Sequence, residues 1–298
     1  MIINGIQIDD TFAEAFPMRA TRLIITGDTK RWAFTAANSM IGFSTSVIAC
    51  GVETGIERQL KMNETPDSRP GMSVLLFAMS SKELAKHVLT RTGQCVMTTP
   101  TTACYAGLYS DKKIKLGGAL RYFGDGYQLS KQLGGKRYWR IPIMDGEFLV
   151  EEYAYQVPGI GGGNFLILAK SRGMALRASE RAIKAMSKVP NVIMPFPGGV
   201  VGSGSKVGSK YKALSASTNE AFCPTLKGLT HTELSPDTES VMEIVIDGLS
   251  EADIAAAMRA GIEAVCELGP AGGVTRITAG NYGGKLGPYH FHLRDVMK

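Results

Sequence analysis

The stretch SVMEIVIDGLSEADIAAAMRAGIEAV (residues 240–265) reads as a strand running straight into a capped helix. Of the six residues Val241–Ile246, all but Glu243 are apolar. Ser250-x-x-Asp253 then forms a capping signal, and Ile254, Met258, Ile262 and Val265 recur at helical spacing. The stretch MSVLLFAMSSKELAKHVLTR (72–91) has the same layout: an apolar strand, then a Ser80-x-x-Glu83 box opening a helix to about Arg91.

Working outward, the neighbours of the two stretches also match. Upstream of 72–91 lie a strand TRLIIT (21–26), a helix over 29–40 and a strand STSVIA (44–49); downstream, QCVMT (94–98) closes as a strand. Around 240–265 lie NFLILA (164–169), a helix over 173–188, NVIMPF (191–196) and a closing GVTRITAG (273–280). Each half is then β-α-β-β-α-β, the order of a split βαβ unit. The fold class expected is α+β: two duplicated ferredoxin-like lobes with antiparallel sheets and inserted loops. The expected division is 1–150, an N-terminal lobe with a hairpin insertion, and 151–298, a C-terminal lobe with a Gly/Ser/Lys-rich insertion. The insertions are a polar loop at 50–71, a segment at 102–160 whose Asp145-Gly146 signals a hairpin turn, and residues 197–236.

Composition narrows the function classes. The chain has 298 residues, 44% hydrophobic, enough for a sizeable core. A net charge of +6 favours anionic partners, but no block of like charges marks a basic tail. Five cysteines without a C-x-x-C pair read as free thiols in a reducing compartment. No signal peptide and no span of ~20 apolar residues is visible, so a cytoplasmic protein off the membrane is expected.

Several motifs carry candidate chemistry. Gly199 and Gly204 have P-loop spacing, but Ser205-Lys206 follow in the wrong order, and Val207 breaks a dinucleotide fingerprint. A loop with Gly198, Gly199, Lys206, Lys210 and Lys212 remains, able to hold an anion or simply to be a surface loop. His290 and His292 share one strand face without a third ligand, so no metal is expected. Cys223 reads as a small buried hydrophobe rather than a nucleophile. GGGNF (161–165) and AGNYGGKLGPY (279–289) each join Gly-Asn to an aromatic residue, with Tyr282 and Phe165 offering flat faces. Glu243 stands apart: it lies mid-strand, whereas the matching strand SVLLFAM is apolar throughout. A carboxylate there is either a site residue with a raised pKa or an edge-strand residue facing water.

Taken together, DDTFAEAF (9–16), ETPDSRPG (64–71), GQCVMT (93–98), FGDGYQ (123–128), PFPGG (195–199), STNEAFCPT (217–225), EIVIDGL (243–249) and ITAGNYGGKLG (277–287) resemble the formylmethanofuran:tetrahydromethanopterin formyltransferases across almost the whole chain. The resemblance implies two ferredoxin-like lobes per subunit and a homotetramer. It implies transfer of a formyl group between the amine of a furan coenzyme and N5 of tetrahydromethanopterin in one-carbon metabolism. Both coenzymes are cosubstrates, and no metal or permanently bound cofactor is involved. The family's catalytic carboxylate, in Y-E-I-V-I-x-G, falls on Glu243, with Met242 in place of the Tyr. The family's archaeal members, those of methanogenesis, are mostly acidic, whereas this chain is basic, and RYWRIPIMDGEF (137–148) and SVMEIVIDGLS (240–250) look more like the bacterial relatives that sit in a formyltransferase/hydrolase complex and work in formaldehyde oxidation. The reaction needs no nucleophilic side chain, because the incoming amine is the nucleophile; it needs a proton source and help for an oxyanion. Glu243 is the expected catalytic acid. Lys206, Lys210 and Lys285 are expected to hold anionic coenzyme tails; Ser217, Thr218 and Asn219 to surround the formyl group; Asn281 and Tyr282 to flank a ring. A formyl-amide hydrolase is the nearest alternative. An RNA-binding module is the alternative of another class, but no strand matches an RNP1 pattern, and no nucleic-acid partner is expected.

Overall fold

The computed structural model describes residues 1–298. The elements that position the site are, in chain order, β1 (Ile6–Ile8), β2 (Phe12–Thr26), α1 (Lys30–Met40), β3 (Glu53–Leu60), β4 (Gly71–Ala78), α2 (Ser81–Arg91), β5 (Ala103–Ala106), β6 (Lys136–Ile143), β7 (Gly146–Glu151), β8 (Val157–Ala169), α3 (Arg172–Met186), β9 (Val192–Ile193), β10 (Ser240–Gly248), α4 (Glu251–Cys266), β11 (Val274–Thr278) and β12 (Tyr289–His292). The chain is mixed α/β.

Two compact units divide the chain, and not at residue 150. The first is Met18–Gly159; the second joins Met1–Pro17 to Ile160–Lys298. The N-terminal segment belongs with the C-terminal residues for a hydrogen-bonding reason. β1 pairs in parallel with β11, and Phe12–Ala15 of β2 pair antiparallel with β12. Neither link is local in sequence, so no local pattern announces it.

In the first unit the strand order is β3-β4-β2-β5-β7-β6. Thr29 caps α1 and Ser80 caps α2, each through its side-chain oxygen. Ala33, Ala36, Ala37 and Met40 of α1 and Leu84 and Val88 of α2 are buried with Leu23, Ile25, Val74 and Leu76 of the sheet. β4 is buried along its whole length. The hairpin expected at Asp145-Gly146 joins β6 to β7, with Met144 and Asp145 as the turn between paired Ile143 and Gly146.

Three local expectations in this unit are corrected. Residues 44–49 are not a strand: Ser46 caps a helical turn over Val47–Cys50, which ends at Gly51 with φ +74°. The strand is β3, inside the 50–71 stretch expected to be loop. Its polar residues mislead because Glu53 and Glu57 are buried inside the protein. Residues 94–98 are not a strand either. Thr92–Val96 continue α2 as a wider turn, with Met97 N–H donating to the Thr92 carbonyl at 2.9 Å. The closing strand is the four-residue β5, too short to stand out against the apolar residues before it.

In the second unit the order is β9-β10-β8-β11-β1. Ser171 caps α3 and Ser250 caps α4. Ile254, Met258, Ile262 and Val265 of α4 are fully buried, as their spacing predicts, beside Ala175, Ala178, Ala182 and Met186 of α3. Burying one such Ile or Val side chain stabilises by roughly 1.5–3 kcal/mol. Gly261 lets the two helices close on the sheet: a Cβ there would lie 2.6 Å from Met186 Sδ and 2.9 Å from Phe165 Cζ. Of the strand expected over 191–196 only Val192–Ile193 pair.

Candidate active site

β10 is not an edge strand at Glu243. Glu243 pairs with Leu166 of β8 on one side; on the other, its backbone exchanges hydrogen bonds of 2.8 and 3.2 Å with Val201. Strand alternation turns Ile244 and Ile246 to the core and Glu243 to the opposite face. That face meets a cavity of about 880 Å³ lined by Glu243, Tyr282, Asn164, Lys206, Asn219 and Asn281, among others. Met242 points the other way, where its Sδ accepts from Ser179 of α3 at 3.7 Å. Met in place of Tyr therefore alters packing beneath α3 and leaves the cavity wall intact.

The apolar side chains of Leu166, Val241 and Phe222 flank the Glu243 end of this cavity. Burial pushes the Glu243 carboxyl up to about 7, and no cation opposes it. A carboxyl that titrates near neutrality can both give and take a proton at working pH. Tyr282 lines the same cavity; burial first, then the charges of Glu243 and Glu14, raise its phenol, so it stays a neutral donor.

The Glu243 shift has a sign that can be measured. Its folded pKa lies above the ordinary 4.5. Between those values the native chain holds a proton that the unfolded chain has lost, so stability falls as pH rises from about 4.5 to about 7. Glu243→Gln removes that slope. Thermal unfolding at pH 5 and pH 8 should show the variant gaining on the wild type by about 1–3 kcal/mol across the window, the upper end being 1.36 kcal/mol per pKa unit and the lower allowing for partial solvation. A difference between variant and wild type that does not move with pH contradicts the burial of this carboxyl.

The other expected residues divide into three groups. Lys206, Asn219, Asn281 and Tyr282 join Glu243 around the cavity. Lys206 is ion-paired to Glu220, which offsets its charge. Asn281 is tied to Thr11 Oγ1 and the Phe12 carbonyl at 3.1 Å each, so it shapes the wall. Lys210, Ser217 and Thr218 instead line a neighbouring cavity of about 730 Å³, which Lys206 also borders. Gly198, Gly199 and Lys285 border neither. Gly198 and Gly199 make a tight turn at φ +66° and +81°, where a Cβ on Gly199 would lie 2.5 Å from Ile183 Cδ1. Lys285 is exposed on the 281–287 loop. His290 and His292 flank buried Phe291 on one exposed face, their rings packed 4.8 and 5.1 Å from Phe12. No group of three or more His, Cys, Asp or Glu comes together as a metal site would require.

Two cavity residues, Asn164 and Arg276, escape the sequence reading, and a third, Cys223, departs from it. Asn164 of β8 accepts the Gly280 N–H at 2.6 Å and donates to the carbonyls of Gly162 and Gly280, strapping β8 to the end of β11. The Gly-Asn pairing was a visible signal for it. Arg276 borders the cavity and lies 3.5 Å from Asp9; that contact crosses most of the chain. Cys223 is half-buried on the wall and not a core hydrophobe, its thiol donating to the Asn219 carbonyl at 3.3 Å.

Comparison with known proteins turns on two family matches. Residues 1–143 match the family described as formylmethanofuran-tetrahydromethanopterin formyltransferase, and residues 146–296 match its proximal lobe. The chain belongs to this formyltransferase family. A formylmethanofuran–tetrahydromethanopterin formyltransferase of Methylococcus capsulatus is 69% identical, with 100% of both chains covered. A protein of Methylorubrum extorquens, named as one of the subunits of a formyltransferase/hydrolase complex, is 51% identical, over 99% of this chain and 97% of the relative. In a crystal structure of the complex from that organism with methylofuran, the matching chain superposes at TM-score 0.98, with 50% identity and coverage of 100% and 99%. The Methanosarcina barkeri formyltransferase follows at 0.94, with 47% identity and coverage of 99% and 100%. Membership makes the chain a transferase; Glu243 and most of its cavity lining lie in the part matching the proximal lobe, while Asp9, Asp10 and Thr11 come from the part matching the other family model.

Proposed function

We propose that the chain moves a formyl group between the amine of a methanofuran-type coenzyme and N5 of tetrahydromethanopterin, and that Glu243 is its acid–base group. The observation that carries this is a carboxyl on an inner strand aimed into a large cavity, where burial pushes its pKa up to about 7. The incoming amine attacks the formyl carbon and forms a tetrahedral oxyanion. The C–N bond to the departing amine then breaks. The incoming nitrogen loses one proton and the departing nitrogen gains one, and Glu243 handles both transfers. The neutral Tyr282 phenol supplies a hydrogen bond to the oxyanion. Lys210, Ser217 and Thr218, in the neighbouring cavity, take the polar tail of a coenzyme.

The fold reading is a duplicated ferredoxin-like lobe. It is supported by the shared β-α-β-β-α-β order and by matching strand sequences: β3-β4-β2-β5 in one unit, β9-β10-β8-β11 in the other. A homotetramer, alone or together with hydrolase-complex proteins, is the assembly we propose; the Methylorubrum relative, named as part of such a complex, supports the second form.

The test mixes the protein with formylated furan coenzyme and tetrahydromethanopterin and follows formyl-pterin in both directions. Transfer in both directions is expected. Formate release without pterin, in place of transfer, overturns the reading in favour of a hydrolase.

A further inference from the structure

Glu14 is a buried carboxylate in the second unit that accepts four backbone N–H groups, and no part of the mechanism above uses it. It is 2% exposed on β2. Its two oxygens accept backbone N–H groups from Tyr282 at 2.8 Å, Gly284 at 3.1 Å and Gly287 at 2.9 Å, and a short one from Leu286. Burial alone would raise this carboxyl; the four amide donors outweigh it and hold it below the ordinary carboxylate range.

The sequence NYGGKLG (281–287) is what this arrangement requires. Gly283 and Gly284 have φ +69° and +74°, a turn that brings alternate amides inward. A Cβ on Gly287 would collide with the Ala15 carbonyl, so only glycine brings that N–H within reach. A loop whose amides converge on one point is an anion-binding nest. Here the protein's own carboxylate fills it. Four backbone donors of this loop are thereby spent on Glu14, and Gly283 N–H goes to Asn281 Oδ1 at 3.2 Å; the Tyr282 side chain lines the cavity, its hydroxyl 3.4 Å from the Ser205 carbonyl, and Lys285 is exposed.

We propose that Glu14 is a positioning residue for the formyl transfer: it fixes the 282–287 loop so that Tyr282 stands on the wall of the Glu243 cavity. The inference rests on the proposed site and deepens it. Glutamine cannot replace this carboxylate. It has one acceptor oxygen, its NH₂ would face amide donors, and the charge-assisted bonds are lost.

The test is a cycle of Glu14→Gln, Tyr282→Phe and the double variant, each assayed for kcat, with amide hydrogen exchange of residues 282–287. Exchange in the loop should quicken by about tenfold or more in Glu14→Gln while the α4 amides keep their protection. Each single variant should lose about tenfold to a hundredfold in kcat. The double variant should lose no more than the worse single one, because Glu14 acts through Tyr282. Multiplying losses, an inert Tyr282→Phe, or unchanged loop exchange each overturn the proposal. Glu14→Asp keeps the charge with a shorter reach and should fall between wild type and Glu14→Gln; it carries the same test if the Gln variant does not fold. Full turnover by Glu243→Gln, by contrast, sinks the site assignment and leaves the loop-exchange result standing on its own.

Discussion

Glu243→Gln lowers kcat for formyl transfer by about 10²–10⁴, the range for a lost acid–base group, with KM changed little. The variant keeps the shape of the side chain and its place between Leu166 and Val201. It loses only the proton that the carboxyl can pass. The wild-type rate should also be pH-sensitive near 7, where the carboxyl titrates, and the residual rate of the variant should lack that inflection. The measurement is steady-state turnover from about pH 5.5 to 8.5 with both coenzymes. Turnover within threefold of wild type removes Glu243 from the mechanism.

The second large effect is on stability, in the first unit. Arg22 of β2 holds Glu57 of β3 through two hydrogen bonds of 2.8 and 2.7 Å, and Ser73 adds one of 2.6 Å to the same carboxylate. Glu57 keeps only 4% of its side-chain surface exposed. Gly107 makes room for the arginine stem: a Cβ there would lie 2.5 Å from Arg22 Cγ. Arg22→Met keeps the stem and removes the guanidinium, leaving a buried carboxylate without its cation. The expected cost is about 3–5 kcal/mol, read as a lower denaturant midpoint. Arg22→Met with Glu57→Gln should recover much of it, because the uncompensated charge is then gone. A single variant within about 1 kcal/mol of wild type would mean that this pair is worth no more than a surface ion pair.

These predictions draw unequally on sequence and structure. Glu243 was legible because its oddity is local: one carboxylate in an apolar strand whose counterpart is apolar throughout. The helices were legible for the same reason, since Ser80, Ser250 and the Ile254–Val265 spacing are short-range signals. Glu14 and Arg276 were not. Glu14 reads as one charge in DDTFAEAF, and its donors lie about 270 residues away. The strands at 53–60 and 103–106 were missed because a polar strand with buried, paired acids looks like loop, and a four-residue strand has too few turns of alternation to count. Ser217 and Thr218 are expected beside the formyl group because they adjoin Asn219 in one motif; the chain path carries them to a neighbouring cavity, together with Lys210.

The sequence by itself therefore determined the element types over most of the chain, the family, and the one carboxyl whose position calls for a task. Those follow from periodicity, caps and long motifs, which act within a few residues. Tertiary structure alone decided which N-terminal residues complete the second unit, which cavity each polar residue reaches, and that Glu14 occupies the amide nest at 282–287. Those depend on backbone hydrogen bonds between segments far apart in the chain. Such bonds are satisfied by groups every residue carries, so they leave little mark on side-chain identity.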